Sequence, residues 1–333
     1  MNEARRNMYL LRALAGAALL SAGAAMAAQA PAWKPEKNVE VIVGTTPGSA
    51  LDGAARLMQK IWQERSLLGV TSSVVNKPGG NMTVAGAYLS QRTGDPHYFQ
   101  VISPTMLTDH IIGSGTYSYT DFTPVALLGS QYLAIATRAD SPLKSGRDLI
   151  AQLKRDPTSA SFGINGVGNS LHILIAVLCK AAGVDVKKVR TVAFNGGELM
   201  TAALGGHVDV VSTVLSNVAP HVAAGKLRIL GIAAPERIGG ALADVPTWRE
   251  QGVDAVVRNW WAVIGAKNLT VEQLAYWDRV MTATTGSAEW KQELAKNYFD
   301  DKYLNSAETS VFLRDEYLRL RASLVELGLA KQR

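Results

Sequence analysis

Four times in this 333-residue chain a β-rich run ends in a short loop of Gly, Asn, Ser or Thr that opens a helix-period segment. The loops span 45–52, 78–83, 165–170 and 194–198. Short loops of this kind carry a chain from a strand's carboxyl end to a helix start, which constrains the fold to α/β with largely parallel sheets. In open sheets of that type, ligands bind in the crevice outside the carboxyl ends of the strands. Helix starts there present N–H groups without helical partners, and the positive end of the dipole. Glycines let backbone approach a ligand, and successive N–H groups cradle anions. One such loop is ordinary turn chemistry. Its recurrence in two separated parts of the chain points to an anion crevice that needs no Lys or Arg.

The patterning places strands at 39–43, 73–75, 98–102, 132–137, 161–164, 190–193, 208–211, 228–233 and 256–264. Helices are expected at 51–64, 83–91, 145–154, 171–182, 198–204, 271–284, 288–297 and 307–328. Ser145 can cap one of them, and Thr270 followed by Glu272 and Gln273 starts another. Two α/β sets with a C-terminal return make two lobes crossed twice by the chain, near 124–131 and 245–258. Lobe 1 is then 28–128 with 254–333, and lobe 2 is 129–253.

The first 27 residues read as a signal peptide. Arg5 and Arg6 precede a small apolar run, 13–28, broken only by Ser21, and Ala25-Met26-Ala27 fits the cleavage pattern. That run of sixteen falls short of the roughly 20 residues a membrane span needs. Cleavage is expected near Ala27, with export of the mature chain. Losing Arg5, Arg6, Arg12 and Glu3 with the leader leaves +4 of the net charge of +6, scattered over Lys34, Lys37, Lys187, Lys188, Arg190, Arg319 and Arg321. A nucleic-acid surface needs a concentrated basic stripe, so none is expected. The single cysteine, Cys179, sits in an apolar run and reads as a small buried hydrophobe.

Catalytic patterns fail on inspection. The chain has no G-x-x-x-x-G-K-[ST], no G-x-G-x-x-G opening a helix after a strand, no G-x-S-x-G, no H-E-x-x-H and no C-x-x-C. His97, His110, His172, His207 and His221 are dispersed without metal-ligand spacing. Asp52 and His172, the best catalytic candidates, fall on different lobes. The expectation is a binding protein without catalytic residues, metal or cofactor, with a hydrolase-type enzyme as the least supported alternative.

The motifs resemble the Bug family, the periplasmic receptors of tripartite tricarboxylate transporters. Val43-Gly44-Thr45-Thr46-Pro47-Gly48-Ser49-Ala50-Leu51-Asp52 is similar to its V-P-F-P-P-G-G-x-x-D stretch, and Asn76-Lys77-Pro78-Gly79-Gly80 to N-R-P-G-A. Asp121-Phe122-Thr123-Pro124-Val125-Ala126-Leu127, then Phe162-Gly163 through Ser170-Leu171-His172, follow in the family's order. Leu204 to Asp209, Pro220 to Arg228, Asp244 to Thr247, and Trp260 complete it.

The resemblance implies a type II periplasmic-binding-protein fold, two α/β lobes closing on a small carboxylate (a di- or tricarboxylate, or an aromatic acid). It implies delivery to the membrane permease subunits of such a transporter by a monomeric receptor, with a sensor for a two-component system as the alternative use of the same cleft. Carried over by position, the ligand contacts are Thr45, Thr46, Ser49, Asp52, Gly80, Asn81, Thr105, Asn169, Ser170, His172, Asn195 and Gly196. Asp52 has two open roles, pairing with a ligand ammonium or stabilising its helix start. Thr45-Thr46 replaces the family's Phe-Pro, and Thr213-Val214 replaces its Asp-Asn. With Met82, Met106, Phe194 and Trp260 near the loops, these departures suggest a partly apolar, even aromatic, acid; core packing is an equal reading for all four and, for Trp260 in its strand, at least as strong a one.

Overall fold

The computed structural model describes residues 33–80, 82–194 and 198–331. The expected leader and the expected site residues Asn81, Asn195 and Gly196 lie outside the described residues. Strand β1 (Val39–Val43) is apolar almost throughout, as a strand covered on both faces must be. It is followed by helix α1 (Ala50–Glu64), which buries Leu51, Ala54, Ala55, Met58, Ile61 and Trp62 at helical spacing. Next come β2 (Ser72–Asn76), α2 (Thr83–Ser90) and β3 (Tyr98–Ile102), with β2 and β3 flanking β1 in parallel.

The chain then departs from expectation. Ser103 and Pro104, just past the strand expected at 98–102, open helix α3 (Pro104–Ile112), because Pro at the first helical position needs no N–H and brings its φ ready-set. Beyond it, the strand expected at 132–137 is the second half of a 16-residue strand, β4 (Thr123–Arg138).

A second set comprises α4 (Gly146–Arg155), β5 (Ser161–Ile164), α5 (Ser170–Ala182), β6 (Arg190–Ala193), α6 (Glu198–Gly205), β7 (Val210–Val214), α7 (Leu215–Ala223) and β8 (Leu227–Ile232). Helix α7 was not expected, since Pro220 lies inside it. Its missing N–H removes a single i→i−4 bond, the one the Ser216 carbonyl would accept, and the helix ends within a turn of it. The chain returns through β9 (Arg258–Gly265), α8 (Val271–Thr285), α9 (Ala288–Lys296), β10 (Phe299–Asp300) and α10 (Ser306–Glu326).

The strand order is β2-β1-β3-β9-β4-β7-β5-β6, with β8 and β10 both added onto β4. Only the outer strands are parallel; β9 and β4 run antiparallel to their neighbours. The expectation of largely parallel sheets therefore fails at the centre, where two long strands join the sets. From Thr123 to Tyr132, β4 pairs with β9; from Leu133 to Arg138 it pairs with β7 and β8. The return crossing lies beside the first: Val257 N–H donates to the Ala233 carbonyl at 3.1 Å, and the next residue, Arg258, is the partner of Tyr132.

Each set has its own core. Trp62, Phe99 and Trp277 cluster in the first, with Phe99 and Trp277 ring centroids 4.4 Å apart. Leu199, Val211, Leu215, Val218, Leu227 and Ile232 belong to the second. Cys179 is fully buried, and burial pushes its thiol up to about 12, so it is the inert hydrophobe expected.

Candidate functional site

The starts of four helices meet at one cavity of about 210 Å³. Helix α1 contributes Ala50 and Leu51; the start of α3 contributes Ser103 and Thr105. Asn165, Asn169, Ser170 and Leu171 come from the β5–α5 loop and the head of α5, and Val214 is the N-cap of α7. Leu133 of β4, with Asn259 and Trp261 of β9, closes the wall from the crossing strands. Both strand sets thus line one space.

No charged side chain of the described residues lines this cavity. Its electrostatics come from helix starts, whose first N–H groups have no helical partner and whose dipoles aim positive ends inward. Two of the four lack a side-chain cap: Ser103 makes none, and Val214 has no polar atom to make one. An anion is the ligand such a space stabilises without a counter-ion.

Local chemistry shapes the loops. In the first, Gly48 adopts a left-handed φ of +81°, which turns its N–H onto Asp52 Oδ2 at 2.9 Å. Arg56 Nε donates to the same oxygen at 2.9 Å, and Asn76 Nδ2 donates to Oδ1 at 2.8 Å and to the Thr45 carbonyl at 3.1 Å. Asp52 is 2% exposed, and the Arg56 guanidinium holds its carboxyl down at about 2. Both oxygens are engaged within the chain. Of its two roles the structure supports the second: Asp52 clasps the loop to its helix and offers no counter-charge to a ligand ammonium.

The β5–α5 loop is held in a similar way. Asn169 Oδ1 accepts from Leu171 and His172 N–H at 3.0 and 3.2 Å, capping α5, and its amide donates back to the Asn165 carbonyl. Gly168, left-handed at φ +80°, donates its N–H to His172 Nδ1 at 3.2 Å. Burial lowers the His172 pKa, keeping the ring neutral and able to accept that bond. Ser212 of β7 donates to the Leu171 carbonyl at 2.8 Å, tying the helix start to the next strand.

Of the expected contacts, Thr105, Asn169 and Ser170 line the cavity. Thr45 and Ser49 are half-buried behind it, their hydroxyls sharing a 2.5 Å hydrogen bond; Thr46 and Gly80 are exposed, and His172 is a buried brace. Met82 and Met106, proposed near the ligand, are core residues at 6% and 4% exposure, with Met82 packed so closely on Gly44 that a Cβ there would meet it at 2.8 Å. Phe194 packs on the core of the second set.

For Trp260 the core reading holds, and its neighbour takes the place at the cavity wall. Trp260 is fully buried and donates to Glu316 Oε1 at 3.2 Å, while Trp261, on the other face of β9, lines the cavity. Asn165 belongs to the expected 165–170 loop, whereas sequence reasoning missed Ser103, Leu133, Val214, Asn259 and Trp261. The signal for Ser103 was Pro104, a helix-start residue; the others depend on strand pairing.

Two mixed α/β lobes joined by neighbouring strands, with helix starts facing a shared cleft, define a solute-binding protein of the type II periplasmic-binding fold. The comparisons agree. Residues 55–329 match the model of the tripartite tricarboxylate transporter family receptor, and the chain belongs to that family. It is 28% identical over 332 residues to the UPF0065 protein in the gbd 5′ region of Cupriavidus necator, covering 98% of this chain and 99% of that one. Among solved structures, a TctC solute-binding protein from Polaromonas without ligand is similar at TM-score 0.77 and 21% identity, covering 88% of this chain and 99% of that one. R. palustris Rpa4515 with adipate is similar at TM-score 0.75 and 22% identity, covering 89% and 99%. The family is one of transporter receptors, and the Polaromonas structure is a solute-binding protein.

Proposed function

We propose that this protein captures a small organic carboxylate in the periplasm, after removal of its leader near Ala27, and delivers it to the membrane permease subunits of a tripartite tricarboxylate-type transporter. It works as a monomer by binding, without turnover. Its lobes are 28–128 with 254–333, and 129–253, and they close on the ligand. The observation that carries the reading is the meeting of four helix starts at a cavity walled by both strand sets, with no charged side chain of the described residues in its lining. Family membership supports the transport role, and adipate in the similar R. palustris protein supports the acid. The carboxylate sits at Thr105, Asn169 and Ser170 and at the head of α1, where hydroxyl and main-chain N–H groups converge. Neutral donors in a water-excluding cleft are enough for micromolar binding, about −8 kcal/mol.

A thermal-shift panel of mono-, di- and tricarboxylates, aromatic acids and acidic amino acids tests this. A bound acid at a hundred times its Kd adds about 2.7 kcal/mol of stability, which raises the melting temperature by several degrees. Val214→Asp, which puts a carboxylate into a wall that has none among the described residues, should weaken acid binding at least about ten-fold. Shifts produced only by neutral sugars or cations, or an unaffected Val214→Asp, would overturn the anion reading.

A further inference from the structure

A second cavity, of about 500 Å³, adjoins the first and shares Asn165 and Leu171 with it as wall residues. Its other walls are Leu199 and Met200 of α6 and Ser216, Asn217 and His221 of α7. We propose, building on the carboxylate reading, that the natural ligand is an elongated acid. Its carboxylate lies in the first cavity, its chain passes Asn165 and Leu171, and a hydrogen-bond acceptor at its far end is received by Ser216.

Continuity is the first argument. The two cavities, of about 210 and 500 Å³, share Asn165 and Leu171 as wall, so an acid longer than the first cavity has a neighbouring space to enter. The second is the lining along the route, which changes from apolar to polar. Leu171, Leu199 and Met200 suit methylene groups, and Thr213 Oγ1 steadies Met200 by a contact of 3.9 Å to its sulfur. Ser216, Asn217 and His221 stand beyond them.

The third argument concerns the direction of one hydrogen bond. Gln131, 2% exposed on β4, donates Nε2 to Ser216 Oγ at 3.1 Å and also to the Asn297 carbonyl, which fixes its amide. Ser216 Oγ is thus an acceptor within the protein, and its own proton remains to be donated. A group that accepts, a carboxylate or hydroxyl oxygen, completes it. Neither a carboxylate nor a Lys or Arg side chain of the described residues lines this cavity, so a cationic far end finds no partner.

Isothermal titration of the purified protein with butanoate, octanoate and suberate, an eight-carbon diacid, separates the possibilities. Suberate should bind at least ten-fold tighter than butanoate. Ser216→Ala should lower suberate affinity about ten-fold and leave butanoate and octanoate unchanged. Met200→Trp, which fills the second cavity from a half-buried position, should abolish the gain of both long acids and leave butanoate unchanged. Equal affinity for butanoate and suberate, or variants that alter all three acids alike or none, would overturn the elongated ligand and leave the carboxylate site standing. Failure of every acid to bind would instead sink the carboxylate reading, and this inference with it.

Discussion

At position 52 a carboxylate that could have met a ligand is spent on its own loop. Gly48 N–H, Arg56 and Asn76 all donate to Asp52, and the fold depresses its pKa from 3.8 to about 2. Such a shift corresponds to about 2 kcal/mol, and to roughly 1–2 once water screening of the half-exposed Arg56 is allowed for. Above about pH 4 the unfolded carboxyl is ionised as well, and the whole gain is present. Between about pH 4 and 2 the unfolded chain takes up its proton first, so the gain disappears. Urea unfolding from pH 6 to 2.5 should show this loss in the wild type and a shallower slope in Asp52→Asn, which should also be less stable at pH 6. Identical slopes would show that the clasp does not contribute. The residue type and its place at a helix start were legible in the sequence; its saturation was not, because Asn76 reaches it from a strand 24 residues away.

Among the elements, β9 shows how a period of two divides structure from function. Trp260 points into the core, where its ring lies 5.6 Å from Phe312 and its N–H meets Glu316, itself held by Arg319. Trp261 stacks 4.0 Å from Phe299 and reaches the cavity. Trp260→Ala should cost about 3–5 kcal/mol of stability in denaturant titration while the folded fraction binds acid as before. Trp261→Ala should weaken binding about ten-fold by calorimetry. A loss of affinity in the first variant alone would reverse the assignment. Helices α3 and α7 carry a similar lesson. Both were hidden by a proline, and both supply cavity walls. Proline at a helix start and proline late in a helix are compatible with helical geometry, but in a bare sequence they punctuate. Ser170→Ala is a cleaner site variant than Asn169→Ala, since Asn169 also caps α5 and its removal costs about 1 kcal/mol of stability.

On the scale of the whole molecule, the two crossings lie side by side, with Tyr132 paired to Arg258. Helix α10 adds a third link: Tyr317 meets His110 Nδ1 of α3 at 3.0 Å, while Glu326 pairs with Lys180 of α5. In the closure proposed above, adjacent crossings serve as the hinge, and a ligand touching both walls would shift the population toward the closed form. By solution scattering, the radius of gyration, about 19 Å for a compact chain of this size, should fall when a bound acid is added. It should stay unchanged for Ser170→Ala at the same acid concentration if affinity has dropped. Binding heat without any change in radius would overturn hinge closure.

What the sequence determined by itself was local: the alternation of strand and helix, the small-residue loops between them, the caps, and through its motifs the family. These follow from propensity, periodicity and turn chemistry, which act over a few residues. Tertiary structure decided the antiparallel centre, the choice of Trp261 over Trp260, the closing of Asp52, and the joining of two cavities at Asn165 and Leu171. Each depends on which distant strands pair and in which register. A cavity wall is made where remote elements meet, and no short window of residues holds that information.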